Sequence, residues 1–259
     1  MPKFKLTAEC KDWFGIKLFR IEATADFGSV KAGDKGGWVA KAENVAEQGN
    51  AWVSGDARVY GDARVYGNAR VYGNAWVYGN ALVCGNARVY GDAQVSGNAW
   101  VYGNALVCGN ARVYGDAQVS GNAWVYGNAL VCGNARVYGD AQVSGNAWVY
   151  GNALVYGNAL VCGNAQVCGD ALVENTLAVA TRSDGYFFAL MRSGDGGPII
   201  TAGCRFFEGF AAARKHWTDT RGGTALGEES LAILDYFERL TTIRPDLAMT
   251  AAAATDEAV

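Results

Sequence analysis

The sequence predicts a mainly β protein: a single-stranded parallel β-helix of the left-handed, triangular type, made of hexapeptide repeats, with an N-terminal β cap and a small C-terminal α+β domain. Three observations carry this. A six-residue unit, Asn/Asp-Ala-x-Val-(Tyr/Ser/Cys)-Gly, repeats without a gap from Asn50 to about Val173, with Val recurring through 21 hexads from Val53. Gly is abundant and Pro scarce (35 against 3), as a chain that turns sharply every few residues requires. The flanking segments lack the repeat, which suits the caps that the open ends of a β-helix need.

Residues 1–49 form the expected N-terminal cap. Lys17-Leu18-Phe19-Arg20-Ile21 alternates as a strand, and turns follow at Asp26-Phe27-Gly28 and Lys31-Ala32-Gly33-Asp34-Lys35-Gly36-Gly37, leading into Trp38-Val39. The last turn resembles a phosphate loop superficially but lacks the Gly-Lys-Ser/Thr ending, which argues against a nucleotide site there.

Residues 50–174 form the repeat. Ala-x-Val-Tyr reads as a short strand whose Ala and Val face inward and whose x and Tyr/Ser/Cys face outward, while Gly and Asn/Asp tolerate the backbone of a sharp corner. Three hexads per coil give about seven coils and a rod on the order of 34 Å long, with the Asn/Asp side chains placed to bond along its axis. A longer period lies above the hexad: Trp52, Trp76, Trp100, Trp124 and Trp148 are spaced 24 apart, and Asn98–Ser120 is identical to Asn122–Ser144. In a three-sided coil Trp52 and Trp124 share one side, Trp76 and Trp148 the next, and Trp100 takes the third. The outward column Trp52, Arg70, Arg88, Leu106, Trp124, Gln142, Leu160 is then mixed and holds no Thr array, which argues against an ice-binding face. The outward aromatics are expected to stack on one another and on Arg, as Trp52 over Arg70, or to form an oligomer or partner surface; a homotrimer is the expected assembly.

Residues 175–247 form the expected C-terminal domain. Leu177–Ala180, Tyr186–Leu190 and Pro198–Ala202 read as antiparallel strands with turns at Ser183-Asp184-Gly185 and Gly194-Asp195-Gly196-Gly197. Helices are expected over Glu208–Trp217 and Glu228–Leu240, the second with an apolar face of Leu231, Leu234, Phe237 and Leu240. The Ala-rich tail, 248–259, has no periodic pattern and is expected to be disordered.

Composition narrows the function. A formal net charge of -3 gives no reason to expect a nucleic-acid partner. The seven Cys form no CxxC or Cys/His cluster, so reduced thiols are expected, with no metal and no cofactor. Lys3, Lys5, Glu9, Lys11 and Asp12 occupy the place of a signal peptide's apolar core, and no run approaches the roughly 20 apolar residues of a membrane span, so a cytoplasmic protein is expected. Acyltransferases that share this kind of β-helix use a His as general base in a cleft between subunits. Here the sole His, His216, lies outside the repeats and reads as a helix-terminal residue favoured by the helix dipole, and the repeats show no extruded loop. A Cys204–His216 pair has only Asp219 nearby as an orienting group, so no catalytic residue is expected.

At both ends the chain resembles the hexapeptide-repeat proteins of phages and prophages. The opening Leu18-Phe19-Arg20-Ile21, Asp26-Phe27-Gly28 and Gly33-Asp34-Lys35-Gly36-Gly37-Trp38, and the closing Ala180-Thr181-Arg182-Ser183-Asp184 and Ile200-Thr201-Ala202-Gly203-Cys204-Arg205-Phe206, are similar to that family's motifs. Lys35 and Phe207 depart from the pattern. The resemblance implies phage origin, a trimeric or end-capped rod and no catalytic residues to carry over. The function expected is that of a non-catalytic accessory protein in the host cytoplasm, whose scaffold binds a host protein or a small signalling molecule, as in blunting antiviral defence; a structural component of the phage is the alternative. Trp76, Trp100, Trp124 and Trp148 on the rod, with Arg182, Arg205 and His216 in the C-terminal domain, are the expected binding residues.

Overall fold

A computed structural model of the protein describes residues 2–169, 171–193, 197–203 and 205–244. Each x-Val pair stacks on the pair 18 residues on, Trp52 and Val53 on Arg70 and Val71, and these on Arg88 and Val89. Three hexads therefore close one coil, and the rungs build three parallel sheets. Between coils the backbone is hydrogen-bonded in register: the N–H groups of Trp100, Tyr102 and Asn104 donate to the carbonyls of Ala117, Val119 and Gly121 at 2.9, 2.9 and 2.7 Å. The repeated Ala and Val are buried, forming one continuous core. The five Trp fall on the three faces as the triangular coil requires.

The corners show why the hexad ends in Gly-Asn/Asp. Gly103 has φ +69°, and a Cβ there would stand 3.0 Å from the nitrogen of Gly121 in the next coil, so the Gly column lets successive corners stack. Beside it Asn50 donates to Asn68, and so on through Asn86, Asn104 and Asn122 to Asp140, at 2.9–3.1 Å. The ladder stops at Asp140 because a carboxylate accepts but cannot donate. Asp92 and Asp116 interrupt the other two columns in the same way, and these resume one coil later from Asn110 and Asn134.

The N-terminal cap is a hairpin of β1 (Phe4–Trp13) and β2 (Ile16–Ala23), turned through Phe14 and Gly15 at φ +50° and +79°. β2 pairs with β3 (Lys35–Val39), and β3 pairs in parallel with the Arg58–Val59 rung, so the hairpin extends one face of the rod. The coil thus begins before Asn50, where the repeat motif was expected to start it: Trp38 and Val39 already form a rung, and Val45 bridges to Val65. Gly36 and Gly37 lie in β3, where a Cβ would run into Ile21 and Val53. These glycines serve close packing.

After the last coil β4 (Leu172–Thr181) leaves the rod and continues as an antiparallel sheet with β5 (Phe187–Ser193), β6 (Pro198–Ala202) and β7 (Arg205–Glu208). Helices α1 (Phe210–Arg221) and α2 (Ala225–Ile243) cover it, burying Ala213, Trp217, Leu234 and Phe237 against Phe188, Leu190 and Ile200. Both helices run past their expected ends. Thr224 caps α2, its Oγ1 accepting from the Gly227 N–H at 3.1 Å. The turn at 194–196, Cys204 and the tail from 245 lie outside the described residues. No helix among the described residues is long and apolar enough to cross a membrane.

Candidate functional site

The expected binding residues separate into two groups. Trp100, Trp124 and Trp148 are 46%, 49% and 46% exposed, but each lies on a different face and they form no common patch. Trp76 shares a face with Trp148 and is engaged by the N-terminal cap: Trp13 meets its edge at 5.0 Å, and the Arg58 guanidinium lies 4.1 Å from the Trp13 ring and 5.6 Å from that of Trp76. The expected stacking of Trp52 over Arg70 is replaced. Trp52 is buried edge-on against Phe4 and Phe27, and Arg70 donates instead to Ser29 Oγ at 2.7 Å. Tyr60 on Tyr78 and Tyr72 on Tyr90 do stack, at 5.1 and 4.9 Å.

Arg182, Arg205 and His216 come together in the C-terminal domain, where they line a cleft of about 310 Å³ with Tyr186, Thr220 and Arg221. The Ser183-Asp184-Gly185 turn forms one wall because α2 holds it: Glu229 accepts from the Ser183 N–H and hydroxyl at 2.8 and 2.7 Å. Opposite, β7 supplies Arg205 and α1 supplies His216, Thr220 and Arg221, while Tyr186 follows the turn directly.

Arg182 is a strut. Its Nε and Nη2 donate to Asp184 at 2.9 and 2.6 Å, its Nη1 donates to Ser230 Oγ at 2.9 Å, and its guanidinium lies over the Tyr186 ring at 4.7 Å. Its side chain is buried and these bonds tie it to the turn and to α2, so in this cleft it acts on the wall, whereas Arg205 and Arg221 reach the opening. This fork, helped by the Tyr186 N–H, holds the Asp184 carboxyl down to about 2. The two charges cancel within the wall. Arg205 and Arg221 differ: both are exposed, and neither has a carboxylate in ion-pair range among the described residues.

His216 lies within α1, which continues to Arg221, so the helix-terminal reading is corrected and Arg221 is the cation of the last turn. The imidazole packs against Phe207 at 5.3 Å and Trp217 at 4.9 Å. Burial first, then the Arg205 guanidinium, holds His216 below the usual imidazole range, against the pull of Asp219. Trp217 forms the floor, its rings against Tyr186 and Phe188 and its Nε1 buried without a hydrogen-bond partner. Gly203 lets Tyr186 fold over the sheet corner, where a Cβ would strike the ring and where the Tyr186 hydroxyl donates to the Ala202 carbonyl at 2.8 Å.

Arg221, Thr220 and Trp217 were missed at the sequence level. On a helix, His216 with Thr220 and Trp217 with Arg221 are i, i+4 pairs on neighbouring strips of one face. Ending the first helix at Trp217 hid that spacing.

With coils and cleft described, comparison with known proteins speaks to the coils. The chain is a β-solenoid repeat protein. Its coils are similar to the family described as YdcK Beta solenoid repeat, whose model matches residues 63–79, 81–97, 93–109, 105–121, 117–133, 129–145, 141–157 and 147–163. These matches lie within the solenoid, so the cleft must be read from its own chemistry. No curated protein matches the chain.

Proposed function

We propose that this solenoid protein is a non-catalytic binding protein, with the rod as a rigid spacer and the C-terminal cleft as a receptor for an anionic group. The observation that carries the reading is the pair Arg205 and Arg221, exposed cations that line one cleft with His216 and have no carboxylate partner among the described residues. Guanidinium forks match carboxylate and phosphate oxygens, and a fixed pair of them selects such groups over neutral ligands. The aromatic rings of the site give no stacking platform for a base, since Trp217 is buried by Tyr186 and Phe188 and Tyr186 is covered by Arg182. The cleft therefore favours a compact anion over a nucleobase.

The non-catalytic part of the reading rests on what surrounds the imidazole. Thr220, the hydroxyl one turn away, donates to the His216 carbonyl at 2.7 Å, and the ring itself is flanked by Phe207 and Trp217. The phage or prophage setting implied by the terminal motifs belongs to the same proposal. In it the ligand is a small phosphorylated signalling molecule or an acidic surface of a host protein, held away from host defences in the cytoplasm. Trimerisation is a weaker element, because the exposed Trp are spread over three faces and single out none as an interface.

The sole His gives a direct test, since its Cε1–H resonance is unique in the chain. Titrated from pH 5 to 8 in chloride, His216 is expected to have its midpoint below 6.5. Sulfate at matched ionic strength should move the midpoint upward, because a bound anion favours the imidazolium. Arg205→Gln should raise the midpoint in chloride and, combined with Arg221→Gln, abolish the response to sulfate. A midpoint indifferent to sulfate would overturn the reading.

A further inference from the structure

Residues in register across a sheet are nearest neighbours, so two like charges there repel unless an opposite charge lies between them. In the three parallel sheets, Arg70 beside Arg88 is such a rung. Other rungs set Arg against a neutral side chain: Arg58 against Trp76, Arg64 against Leu82, Arg112 against Gln94 and Leu130, Arg136 against Gln118 and Leu154. Among the described residues neither Arg70 nor Arg88 has a carboxylate in ion-pair range. The repeat did not have to place these cations together, since the same column carries Leu106, Gln142 and Leu160 elsewhere.

The rung coincides with an open groove of about 430 Å³ that Arg70 and Arg88 line together with Trp52, Ser54 and Tyr72. Its walls are fixed. Trp52 is 5% exposed and wedged by Phe4 and Phe27, Tyr72 lies flat on Tyr90 with the planes 1° apart, and Ser29 of the N-terminal cap orients Arg70. The groove thus presents two guanidiniums without a carboxylate partner among the described residues, one of them positioned by Ser29.

We propose that this groove is a second anion site, remote in sequence from the C-terminal cleft, which takes a phosphate group between the guanidiniums of Arg70 and Arg88. Coils lie about 4.8 Å apart, a separation at which two forks reach different oxygens of one tetrahedral group. Ser54 at the lining adds a hydroxyl donor, and the half-buried Tyr72 is the aromatic side chain that a small organic group esterified to the phosphate would meet, since Trp52 is buried. The site does not depend on the function of the C-terminal cleft.

The test uses the full chain and the Nε–Hε resonances of Arg70 and Arg88, which report on this groove alone. Inorganic phosphate and glycerol 3-phosphate are titrated at low millimolar concentration against chloride of matched ionic strength. Saturable shifts at both arginines are expected, and Arg88→Gln should weaken the response of Arg70 by about tenfold or more. Gln occupies the same column at Gln142, so this variant keeps the fold. Without added anion it should melt above the wild type, because it removes the like-charged rung. Equal midpoints for the two ligands would mean recognition of the phosphate alone, and a tighter ester would add the aromatic wall to the site. Shifts reproduced by chloride, or an Arg70 midpoint unchanged in Arg88→Gln, would overturn the proposal.

Discussion

Residues 74–97, 98–121 and 122–145 have one and the same 24-residue sequence, whereas the coil closes every 18 residues. Deleting Asn98–Gly121 is therefore silent at every local level. Gly97 meets Asn122 in the context in which it met Asn98, and residues near the junction keep the same residue types in the coils before and after them. The contacts of the caps survive as well, with Trp13 on Trp76 and Ser29 on Arg70 before the cut and the Leu160 N–H on Thr176 Oγ1 after it. What changes is global: four hexads amount to one and a third coils, so the C-terminal domain should approach the N-terminal cap by roughly 6.4 Å and turn about the rod axis by roughly 120°. Because each coil touches only its neighbours, the variant should still unfold cooperatively, with no defect at the junction. Electron–electron distances from a spin label on Cys10 to labels at Val179→Cys and Tyr236→Cys, all exposed positions, would measure the rotation once the remaining Cys are replaced by Ser. Ser already stands at the same hexad position in Ser96 and Ser120. Deleting Asn98–Gly115 instead removes one whole coil and should shorten the rod without turning the domain. If the two deletions gave the same change in both distances, or if the first failed to fold, coil closure would depend on more than the hexad, and the reasoning would fail.

Two further predictions concern single carboxylates. Asp92 accepts from Asn74 at 3.1 Å and interrupts its column, so Asp92→Asn should extend the ladder to Asn110 and stabilise the solenoid by about 0.5–1 kcal/mol, read as a shift in denaturant midpoint. Asp184 has its folded pKa depressed to about 2 from an ordinary 3.8. Its contribution is therefore full above about pH 4 and is lost as the pH falls towards 2. Asp184→Asn should weaken the C-terminal domain at neutral pH and flatten that acid limb, as followed by the near-ultraviolet signal of the Tyr186–Trp217 cluster. An acid limb as steep as that of the wild type would remove Asp184 as its source.

The solenoid was legible because its rules are local and repeat: Ala and Val inward, Gly where φ is positive, Asn where a corner ladder runs. An error in one hexad would have been contradicted by the next. The caps were less so, because their decisive contacts join distant segments. Nothing around Gly36 announces that Ile21 and Trp52 press on it, and nothing around Arg70 shows that Ser29 takes its guanidinium. The cleft was half legible. Arg182, Arg205 and His216 were singled out, but telling a strut from a receptor required the partners: Asp184 and Ser230 occupy Arg182, while Arg205 and Arg221 face open space. Charge identity in a sequence gives the number of cations. Which of them remain unpaired, and so available to a ligand, is decided only when the fold has chosen their neighbours.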